Sequence, residues 1–532
     1  MSSAAAVRGR VPCRTGERPD GLALGDSGCG LDIHTDVTVD DGGMTTSLHP
    51  REQARALDRL QPGDALVLGL LMASTFLVLL NEMLLGVALP TLIADLDITP
   101  SAGQWLTTGY LLTLAVLIPA TGFVMRRFHL RTIFLTALSV FIIGTAISAA
   151  APSFGILLSG RIVQAVGTAV FLPLLMTTAI RLIPESRRGR IMALVTAVPA
   201  IAPAVGPAVS GLVLTYSSWR WLFILVLPLA VIALIAGALQ LRNITAPERA
   251  SLDLVSLALS AVGFGALVLG LSLIGESVSG HAPMPPLIPT VIGVVGVAGF
   301  VMRQVALQRR GEAFLDMRIF QSKEFAVAAV VMLFVAMNGF GVALVLPFVL
   351  TGALGLSTLA IGLFLLPGGV IIAVVSALGG RVYDRWGPLP LAIPGAVLWA
   401  ASIWFLSTLD ESNSVWAYLT GYLLMTAGQA MIWGPATTLA LSSLRSELHP
   451  HGTAAFTTVQ QLAGAAGGAV LVSAYTIGSA ATNAGALTVS QTVSAGQAAF
   501  TTALIIAIAG LVTTLFIGRR PRATASDAVT SR

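Results

Sequence analysis

The sequence predicts an all-α polytopic membrane protein with fourteen transmembrane helices, arranged as two six-helix bundles with two extra helices between them. Its 532 residues are 55% hydrophobic and only 10% charged, and their mean hydropathy is +0.86. Soluble domains carry about 25% charged residues, so this composition excludes that class. Apolar segments of about 20 residues, long enough to cross the ~30 Å hydrocarbon core as helices, recur along the chain.

The chain begins with a polar segment, residues 1–62, that holds seven Arg and nine acidic residues. It contains no apolar run and therefore no signal-peptide core, so we expect a disordered cytoplasmic tail. Met44 is an alternative translation start, because nothing before it resembles a folded element. Cys13 and Cys29, the two cysteines of the chain, lie in this tail in no metal-binding spacing.

Fourteen apolar segments follow, separated by short polar breaks. Those of the predicted N-terminal bundle, residues 63–243, are 66–93, 104–125, 132–151, 154–182, 191–216 and 219–241. The extra pair within residues 244–310 is 253–274 and 286–307. Those of the predicted C-terminal bundle, residues 311–519, are 325–352, 358–380, 389–409, 414–443, 452–479 and 497–518. Residues 520–532 are expected to form a second cytoplasmic tail.

Arginine is distributed unevenly among the connections between these segments. The even-numbered connections carry nearly all of it, for example Arg126, Arg127 and the stretch 187–190, whereas the odd-numbered connections carry only Arg220. Because basic residues of short loops stay on the cytoplasmic side, both termini are predicted to be cytoplasmic. The same distribution accounts for the net charge of +5 without a nucleic-acid partner.

Glu82 interrupts the middle of the first apolar segment, next to Asn81. An ionised carboxylate in the bilayer is costly unless it faces a cavity or a partner, so Glu82 is the first functional candidate. The alternative is a position near the interface, or a packing contact with a neighbouring helix. Arg161, in the fourth segment, is expected to pair with Glu82 and to favour its ionised form when close. The alternative for this pair is a fixed structural ion pair.

A short motif follows the second segment of each half. The second-half motif, G-x-x-x-D-R-x-G, consists of Gly380, Asp384, Arg385 and Gly387. The first-half copy ends in Arg126 and Arg127 and lacks the Asp, so gating is expected to depend more on the second half. Repeated halves are typical of secondary transporters, which hold substrate near mid-membrane and rock one half against the other.

Motifs on single segments resemble those of the major facilitator superfamily, specifically its fourteen-span drug:proton antiporter family. Leu80–Glu82 followed by Val87–Pro90 is similar to the first-span motif L-D-x-T-x-x-N-V-A-L-P, with Asn81 at the usual Asp position. Gly160–Gly167, which contains Arg161 and Gln164, is similar to the fourth-span R-x-x-Q-G motif. The L-N-E form and the segment Gln460–Gly464 resemble the branch related to lincomycin-resistance exporters.

The fifth segment carries Gly206, Pro207 and Gly211, similar to the antiporter motif G-x-x-x-G-P-x-x-G-G, with Ala202 and Ser210 at two of its glycine positions. Trp219-Arg220-Trp221 then resembles the W-R-W that begins the sixth span. Gly and Pro let a helix bend and be approached closely. The resemblance implies antiport, and the alternative for these residues is helix packing alone.

The resemblance implies a proton-coupled multidrug exporter that works by alternating access in the bacterial plasma membrane. We expect a monomer in the lipid bilayer, with no cofactor, because the proton gradient supplies the work and no nucleotide-binding G-x-x-x-x-G-K-[ST] motif is present. Expected substrates are lipophilic neutral or monocationic drug-like compounds, since one carboxylate cannot compensate a dication. Gln164 is a candidate for the substrate cavity, with helix–helix hydrogen bonding as its alternative role. Adaptable apolar side chains are further candidates, with packing as their alternative role: Trp105, Tyr110, Phe171, Met176, Met431 and Trp433.

Three other functions are alternatives to export. A symporter or facilitator for a metabolite is disfavoured by the antiporter motif. An intramembrane enzyme would show clustered Asp and His or a metal-binding H-E-x-x-H, which the sequence lacks. A sensor or scaffold would carry a folded soluble domain, and the N-terminal tail is too polar for one.

Overall fold

The computed structural model describes residues 35–40, 43–48, 62–183, 195, 201–202, 205–243, 253–278, 282–310, 313–479 and 488–518. The side chains of residues 35–62, Arg181, Asp384 and Ser446 are not included in that description. The predicted C-terminal tail, the stretch 187–190 and most of the N-terminal tail lie outside the described residues. What is predicted for them stays a prediction.

The described part of the chain is almost entirely α-helical. Its first helices are α1 (Pro62–Leu96), α2 (Pro100–Arg127), α3 (Leu130–Ala149), α4 (Phe154–Thr168), α5 (Phe171–Leu182), α6 (Val205–Tyr216), α7 (Trp221–Ile224) and α8 (Val226–Gln240). The following helices are α9 (Leu254–Val278), α10 (Leu287–Gln308), α11 (Lys323–Gly352), α12 (Thr358–Trp386), α13 (Leu389–Ser407), α14 (Val415–Ser442), α15 (His449–Ser479) and α16 (Val489–Thr514). Short 3-10 helices occupy Met317–Gln321 and Ser446–Leu448.

Twelve candidate membrane spans, defined by length and apolar composition, lie within the described residues. α4 with α5 makes one of them, and α7 with α8 makes another. The predicted segment 414–443 coincides with α14, whose 28 residues extend ~42 Å, and 191–216 is described only in part. The chain is therefore a multi-pass membrane protein, and the count of fourteen spans stays a prediction.

Two of the segments predicted as continuous helices are interrupted. α4 ends at Thr168 and α5 begins at Phe171, and a similar break separates the single turn α7 from α8. Each break lies a few residues before a proline, Pro173 or Pro228. Proline has no N–H, so it cannot donate to the carbonyl four residues earlier, and its ring crowds that carbonyl.

Two strands, β1 (Thr35–Asp40) and β2 (Gly43–Leu48), pair antiparallel inside the tail that was predicted to be disordered. The prediction of disorder is wrong for these two strands. Their sequences are rich in Thr and Val, which favour strands, and Asp-Gly stands between them, the dipeptide favoured in two-residue hairpin turns. A single hairpin is only marginally stable in water.

The helices pack in two groups that meet along a seam. In the first group, α3 packs along α4, and α1 packs on α2, α5 and α8; in the second, α11 packs on α15 and α16, and α13 packs along α14. The seam is formed by α2 against α15 and by α1 against α11. The exact bundle boundaries, 63–243 and 311–519, stay predictions.

The inserted helix α9 lies against this seam, touching both α2 and α15, while α10 packs along it. Gln104 of α2 donates from Nε2 to Ser272 Oγ at 2.9 Å, a buried hydrogen bond. Ser473 of α15 donates to the Leu271 and Ser272 carbonyls, both at 3.2 Å. One residue of the insertion is therefore bonded to both helix groups.

Candidate functional site

Glu82 lies in α1 with only 5% of its surface exposed. It is buried because α1 is covered by α2, α5, α8 and α11. Its Oε2 has no hydrogen-bond partner among the described residues. A buried oxygen of this kind is costly while the carboxyl is ionised, and a proton or a cationic ligand would relieve that cost.

Arg161, which is completely buried, is the centre of a hydrogen-bonded network near Glu82. Its Nη1 donates to Asn81 Oδ1 and to Gln164 Oε1, each at 2.9 Å. Its Nε donates to the Leu106 carbonyl at 3.4 Å, and its guanidinium carbon lies 4.1 Å from the centre of the Tyr110 ring. The network thus connects α1, α2 and α4 through one planar cation, using both hydrogen bonds and a cation–π contact.

Two threonines extend this network, and the sequence reasoning did not find them. Gln164 Nε2 donates to Thr145 Oγ1 of α3 at 2.7 Å, and Tyr110 Oη donates to Thr168 Oγ1 at 2.8 Å. A threonine inside an apolar segment is the sequence feature that could have identified them, since hydroxyl side chains commonly form hydrogen bonds between membrane helices.

The direct pairing expected between Arg161 and Glu82 is absent, although the structure describes both residues. No nitrogen–oxygen distance between them is 4.0 Å or less, because Arg161 Nη1 is directed to neutral oxygens instead. Their charges still act on each other at longer range. Arg161 Nη2 and Asn81 Nδ2, like Glu82 Oε2, have no hydrogen-bond partner in the described residues, so the site retains two unmatched donors as well as an unmatched acceptor.

The antiporter-like motif of α6 forms a backbone contact with α12 across the seam. A Cβ added at Gly211 would lie 2.5 Å from the Thr358 carbonyl oxygen, and one added at Gly362 would lie 2.5 Å from the Pro207 carbonyl oxygen. Only residues without a Cβ allow these two helices to approach so closely. This contact is at the end of both helices that is remote from the Arg-rich connections.

Gly206 connects the same motif to the buried carboxyl group. A Cβ added there would lie 2.6 Å from Met83 Cβ, and Met83 is the residue after Glu82. The motif therefore abuts the turn of α1 that carries Glu82 as well as the facing half of the protein.

The gating motif lies at the end of α12 near the Arg-rich connections. Gly387 ends α12 with φ of +80°, a left-handed conformation that favours glycine, and its N–H donates to the Tyr383 carbonyl at 2.8 Å. The Arg385 guanidinium carbon lies 5.2 Å from the centre of the Trp386 ring. A Cβ added at Gly380 would meet no atom within 4 Å, so this end of α12 is not tightly packed there.

The first-half copy of the gating motif is also exposed and loosely packed. Arg126 and Arg127 are exposed at the end of α2, and a Cβ added at Gly122 would meet no atom within 4 Å. A close backbone contact between the helix groups is therefore present at the α6–α12 end, whereas Gly122 and Gly380 are exposed at the opposite end. The role of Asp384 stays a prediction, because its side chain lies outside the description.

Arg220, the one arginine in the odd-numbered connections, is compensated locally. It lies 3.6 Å from the Asp95 carboxylate and 4.2 Å from the centre of the Trp219 ring, while Trp219 Nε1 donates to Asp95 Oδ2 at 2.7 Å. The W-R-W residues therefore attach α7 to the end of α1. These contacts explain why an arginine is present in an odd-numbered connection.

The sequence matches the family described as Major Facilitator Superfamily over residues 71–468. The chain belongs to the major facilitator superfamily. It is 37% identical over 461 residues to the lincomycin resistance protein of Bacillus subtilis, covering 85% of this chain and 95% of that protein. It is 27% identical to a multidrug resistance protein B homolog of Mycobacterium tuberculosis, covering 80% and 79% of the two chains. The predicted resemblance to drug exporters is confirmed.

Solved structures support the same superfamily fold. The human organic anion transporter MFSD10 matches with a TM-score of 0.58 and 16% identity, covering 85% of this chain and all of that one. A D-xylose-proton symporter matches with a TM-score of 0.57 and 16% identity, covering 86% and 97% of the two chains. At these identities the likeness concerns the fold alone. Membership of the superfamily indicates a transporter rather than an enzyme.

The apolar residues predicted to line the cavity of this major facilitator protein occupy different surroundings. Tyr110 belongs to the Arg161 network, and Phe171 packs edge-to-face on Phe134 with ring centres 5.8 Å apart. Trp105 and Trp433 are partly buried beside core residues. Met431 lies against Gly395, where an added Cβ would be 2.7 Å from Met431 Cβ. A substrate role for each of them stays a prediction.

Proposed function

We propose that this protein is a proton-coupled multidrug exporter, which moves lipophilic neutral or monocationic compounds out of a bacterial cell by alternating-access antiport. The single observation that carries the proton step is the buried Glu82 carboxyl group with its unmatched Oε2. A group in that position gains most from binding a proton when no substrate is present. Relatives named for lincomycin and multidrug resistance support the drug class.

The packing of the seam supports alternating access. The α6–α12 backbone contact closes the side away from the Arg-rich connections, while Gly122 and Gly380 have open surroundings on the other side. With the Arg-rich side in the cytoplasm, we take the α6–α12 contact as the closed outer side of an inward-facing state, in which drug is collected and the proton is released. The proposal includes fourteen spans, cytoplasmic termini and a monomer in the plasma membrane.

The first test replaces Glu82 with Gln, which keeps the shape of the side chain and removes the exchangeable charge. We expect Glu82→Gln to abolish protonophore-sensitive efflux from cells while leaving part of the drug binding, and Glu82→Asp to be milder. Glu324→Gln, at the start of α11, is the matched control and should pump normally. A Glu82→Gln protein that still pumps against a gradient, and stops when protonophore is added, would show that another group carries the proton.

The second test concerns the charge of the substrate. A dication entering a low-dielectric cavity loses two hydration shells, and one carboxyl group that also binds the proton cannot compensate both charges. Efflux of matched monocationic and dicationic dyes should therefore favour the monocation strongly. Equal efflux of the two dyes would mean that a second acidic group reaches the cavity.

A further inference from the structure

The crossing of α3 with α4 recurs in the second helix group, where α13 crosses α14. A Cβ added at Gly144 would lie 2.7 Å from the Gly160 carbonyl oxygen, and one added at Gly160 would lie 3.0 Å from the Gly144 carbonyl oxygen. The corresponding distances for Gly395 and Gly428 are 3.0 Å and 2.8 Å. Each pair of helices therefore crosses at two glycines that contact each other's backbone, and Gly428 of α14 is the counterpart of Gly160 of α4.

α1 and α11 correspond to each other in a similar way. Each contains a proline inside the helix, Pro90 in α1 and Pro347 in α11. An asparagine precedes each proline by nine residues, Asn81 in α1 and Asn338 in α11. The two asparagines therefore occupy equivalent positions of the two helix groups.

The residue that follows each of these equivalent positions is charged in the first helix group and neutral in the second. Arg161 of α4 corresponds to Gln429 of α14, and Glu82 of α1 corresponds to Gly339 of α11. The two neutral counterparts are neighbours, since a Cβ added at Gly339 would lie 3.4 Å from Gln429 Oε1 and 3.5 Å from Gln429 Nε2. The second helix group thus contains an uncharged counterpart of the Glu82 site, in which a glycine leaves room beside an amide.

The amide of Gln429 has a hydrogen-bond donor to offer. Its Nε2 is buried and forms no hydrogen bond within the part of the chain that the structure describes. Asn338 Oδ1 is also unmatched there, but the Asn338 side chain is directed to α16, where its Nδ2 donates to the Ala503 carbonyl at 2.7 Å. An unpaired buried donor is costly, and an acceptor atom on a ligand would relieve that cost.

Gly339 lies at the level of Glu82 along the seam. α1 and α11 both run away from the Arg-rich connections, and a Cβ added at Gly86 would lie 3.9 Å from the Ala343 carbonyl oxygen. Residues four apart lie on the same face of a helix, so Glu82 and Gly339 each precede this contact by one turn. Gly339 and Gln429 are partly exposed and Ala343 is exposed, so there is open space beside the amide.

We infer that Gln429, with the space that Gly339 leaves beside it, binds a neutral hydrogen-bond acceptor of the transported compound, such as a carbonyl or hydroxyl oxygen. The inference rests on the proposed export function and specifies one chemical group of the substrate. An amide suits this task because it offers a donor without a charge, so that release of the compound leaves no ion unpaired. The first helix group then binds the proton at Glu82, and the second recognises a polar group of the drug.

Binding of two lipophilic cations to the full chain, purified in lipid nanodiscs, tests this inference. The probes are tetraphenylphosphonium, which has no hydrogen-bonding group, and its derivative with one carboxamide on a phenyl ring. After correction for partition into empty nanodiscs, wild-type protein should bind the carboxamide roughly fivefold more tightly, the factor expected of one hydrogen bond. Gln429→Leu should remove this preference, and tetraphenylphosphonium that still binds shows that the variant is folded. Thr420→Val, at an exposed position of the same helix, is the matched control and should keep the preference.

A second set of variants tests the space without removing the amide. The preference for the carboxamide should fall in Gly339→Ala and disappear in Gly339→Val, because the added methyl groups occupy the room beside Gln429. Gly69→Val is the control, since a Cβ added at Gly69 meets no atom within 4 Å. This set also decides the case in which Gln429→Leu does not fold.

The outcomes separate the binding site from the export function. A preference that survives in Gln429→Leu or in Gly339→Val overturns the inference and leaves the proposed function intact. Equal binding of the two probes by the wild-type protein has the same meaning. A wild-type protein that binds neither probe, in cells that show no protonophore-sensitive efflux of them, contradicts the proposed function as well.

Discussion

Arg161 holds three helices through a side chain that is completely removed from solvent. One nitrogen, Nη1, serves both Asn81 and Gln164, while the flat face of the guanidinium lies over Tyr110. A Lys side chain keeps the positive charge but offers a compact ammonium group without the planar fork or the stacking face. Replacing Arg161 with Lys therefore tests whether the shape of the guanidinium matters, because the positive charge is kept.

We expect Arg161→Lys to reduce drug efflux by about tenfold or more, since a hydrogen bond to a charged group contributes ~1.5–3 kcal/mol and at least one is lost. The measurement is initial efflux rate in cells, normalised to the amount of protein in the membrane. Arg127→Lys, on the exposed end of α2, is the control. If the two variants export equally fast, the shape of the guanidinium is not needed.

The sequence identifies Glu82 and Arg161 because a charge inside an apolar segment is conspicuous. It does not identify their partners. Which face of α4 meets α1, and which oxygens Arg161 reaches, depend on helix rotation set by packing among several helices.

Among the helices, α6 and α12 approach each other closely through their backbones across the seam. Gly211 and Gly362 face each other with so little space that an added Cβ would overlap a carbonyl oxygen on the opposite helix. Backbone atoms cannot move aside as the end of a flexible side chain can. A methyl group at this point must therefore separate the two helices.

We expect Gly211→Ala to open the side of the seam that α6 and α12 close. A cysteine placed at the buried Ser210, in a protein whose Cys13 and Cys29 are replaced by Ser, should react faster with a membrane-impermeant maleimide added from outside. Gly69→Ala is the control, because a Cβ at Gly69 meets no atom within 4 Å. Unchanged labelling in Gly211→Ala would mean that the helices accommodate the methyl group without separating.

The positions of the long helices follow from the apolar segments, whereas their interruptions do not. The breaks before Pro173 and Pro228 have a simple cause in the missing proline N–H, but many membrane helices contain proline without breaking. Pro119 lies inside the continuous helix α2, for example. Whether a proline interrupts a helix depends on what satisfies the freed carbonyl, and that is a property of the packed structure.

For the molecule as a whole, arginine placement predicts the orientation of every connection. Reporters fused after Ser277 and Asn483 should appear outside the cell, and those fused after Arg309 and Arg520 inside, since basic short loops remain in the cytoplasm. Alkaline phosphatase and a fluorescent protein are suitable complementary reporters. An inside signal at Asn483 would refute the fourteen-span arrangement.

The location of the inserted pair could not be predicted from chain order. Residues 244–310 lie between the halves in sequence, which says nothing about where α9 and α10 pack. The structure places α9 against both α2 and α15, with Ser272 bonded to Gln104 on one side and Ser473 on the other. The sequence shows that these three residues are polar and lie inside apolar segments. Which of them bond to each other is determined only by how the helices pack.

The bond between Gln104 and Ser272 also has a consequence during biosynthesis. The two residues are 168 positions apart, so at ~5–20 residues per second Gln104 leaves the ribosome roughly 8 to 34 s before its partner. Until then its amide must find water, lipid headgroups or a temporary helix partner, because an unpaired amide in hydrocarbon is costly. Once α9 has been inserted, Ser272 accepts the hydrogen bond from Gln104. From then on, the newly synthesised first half no longer presents this amide group to unrelated helices in the same membrane.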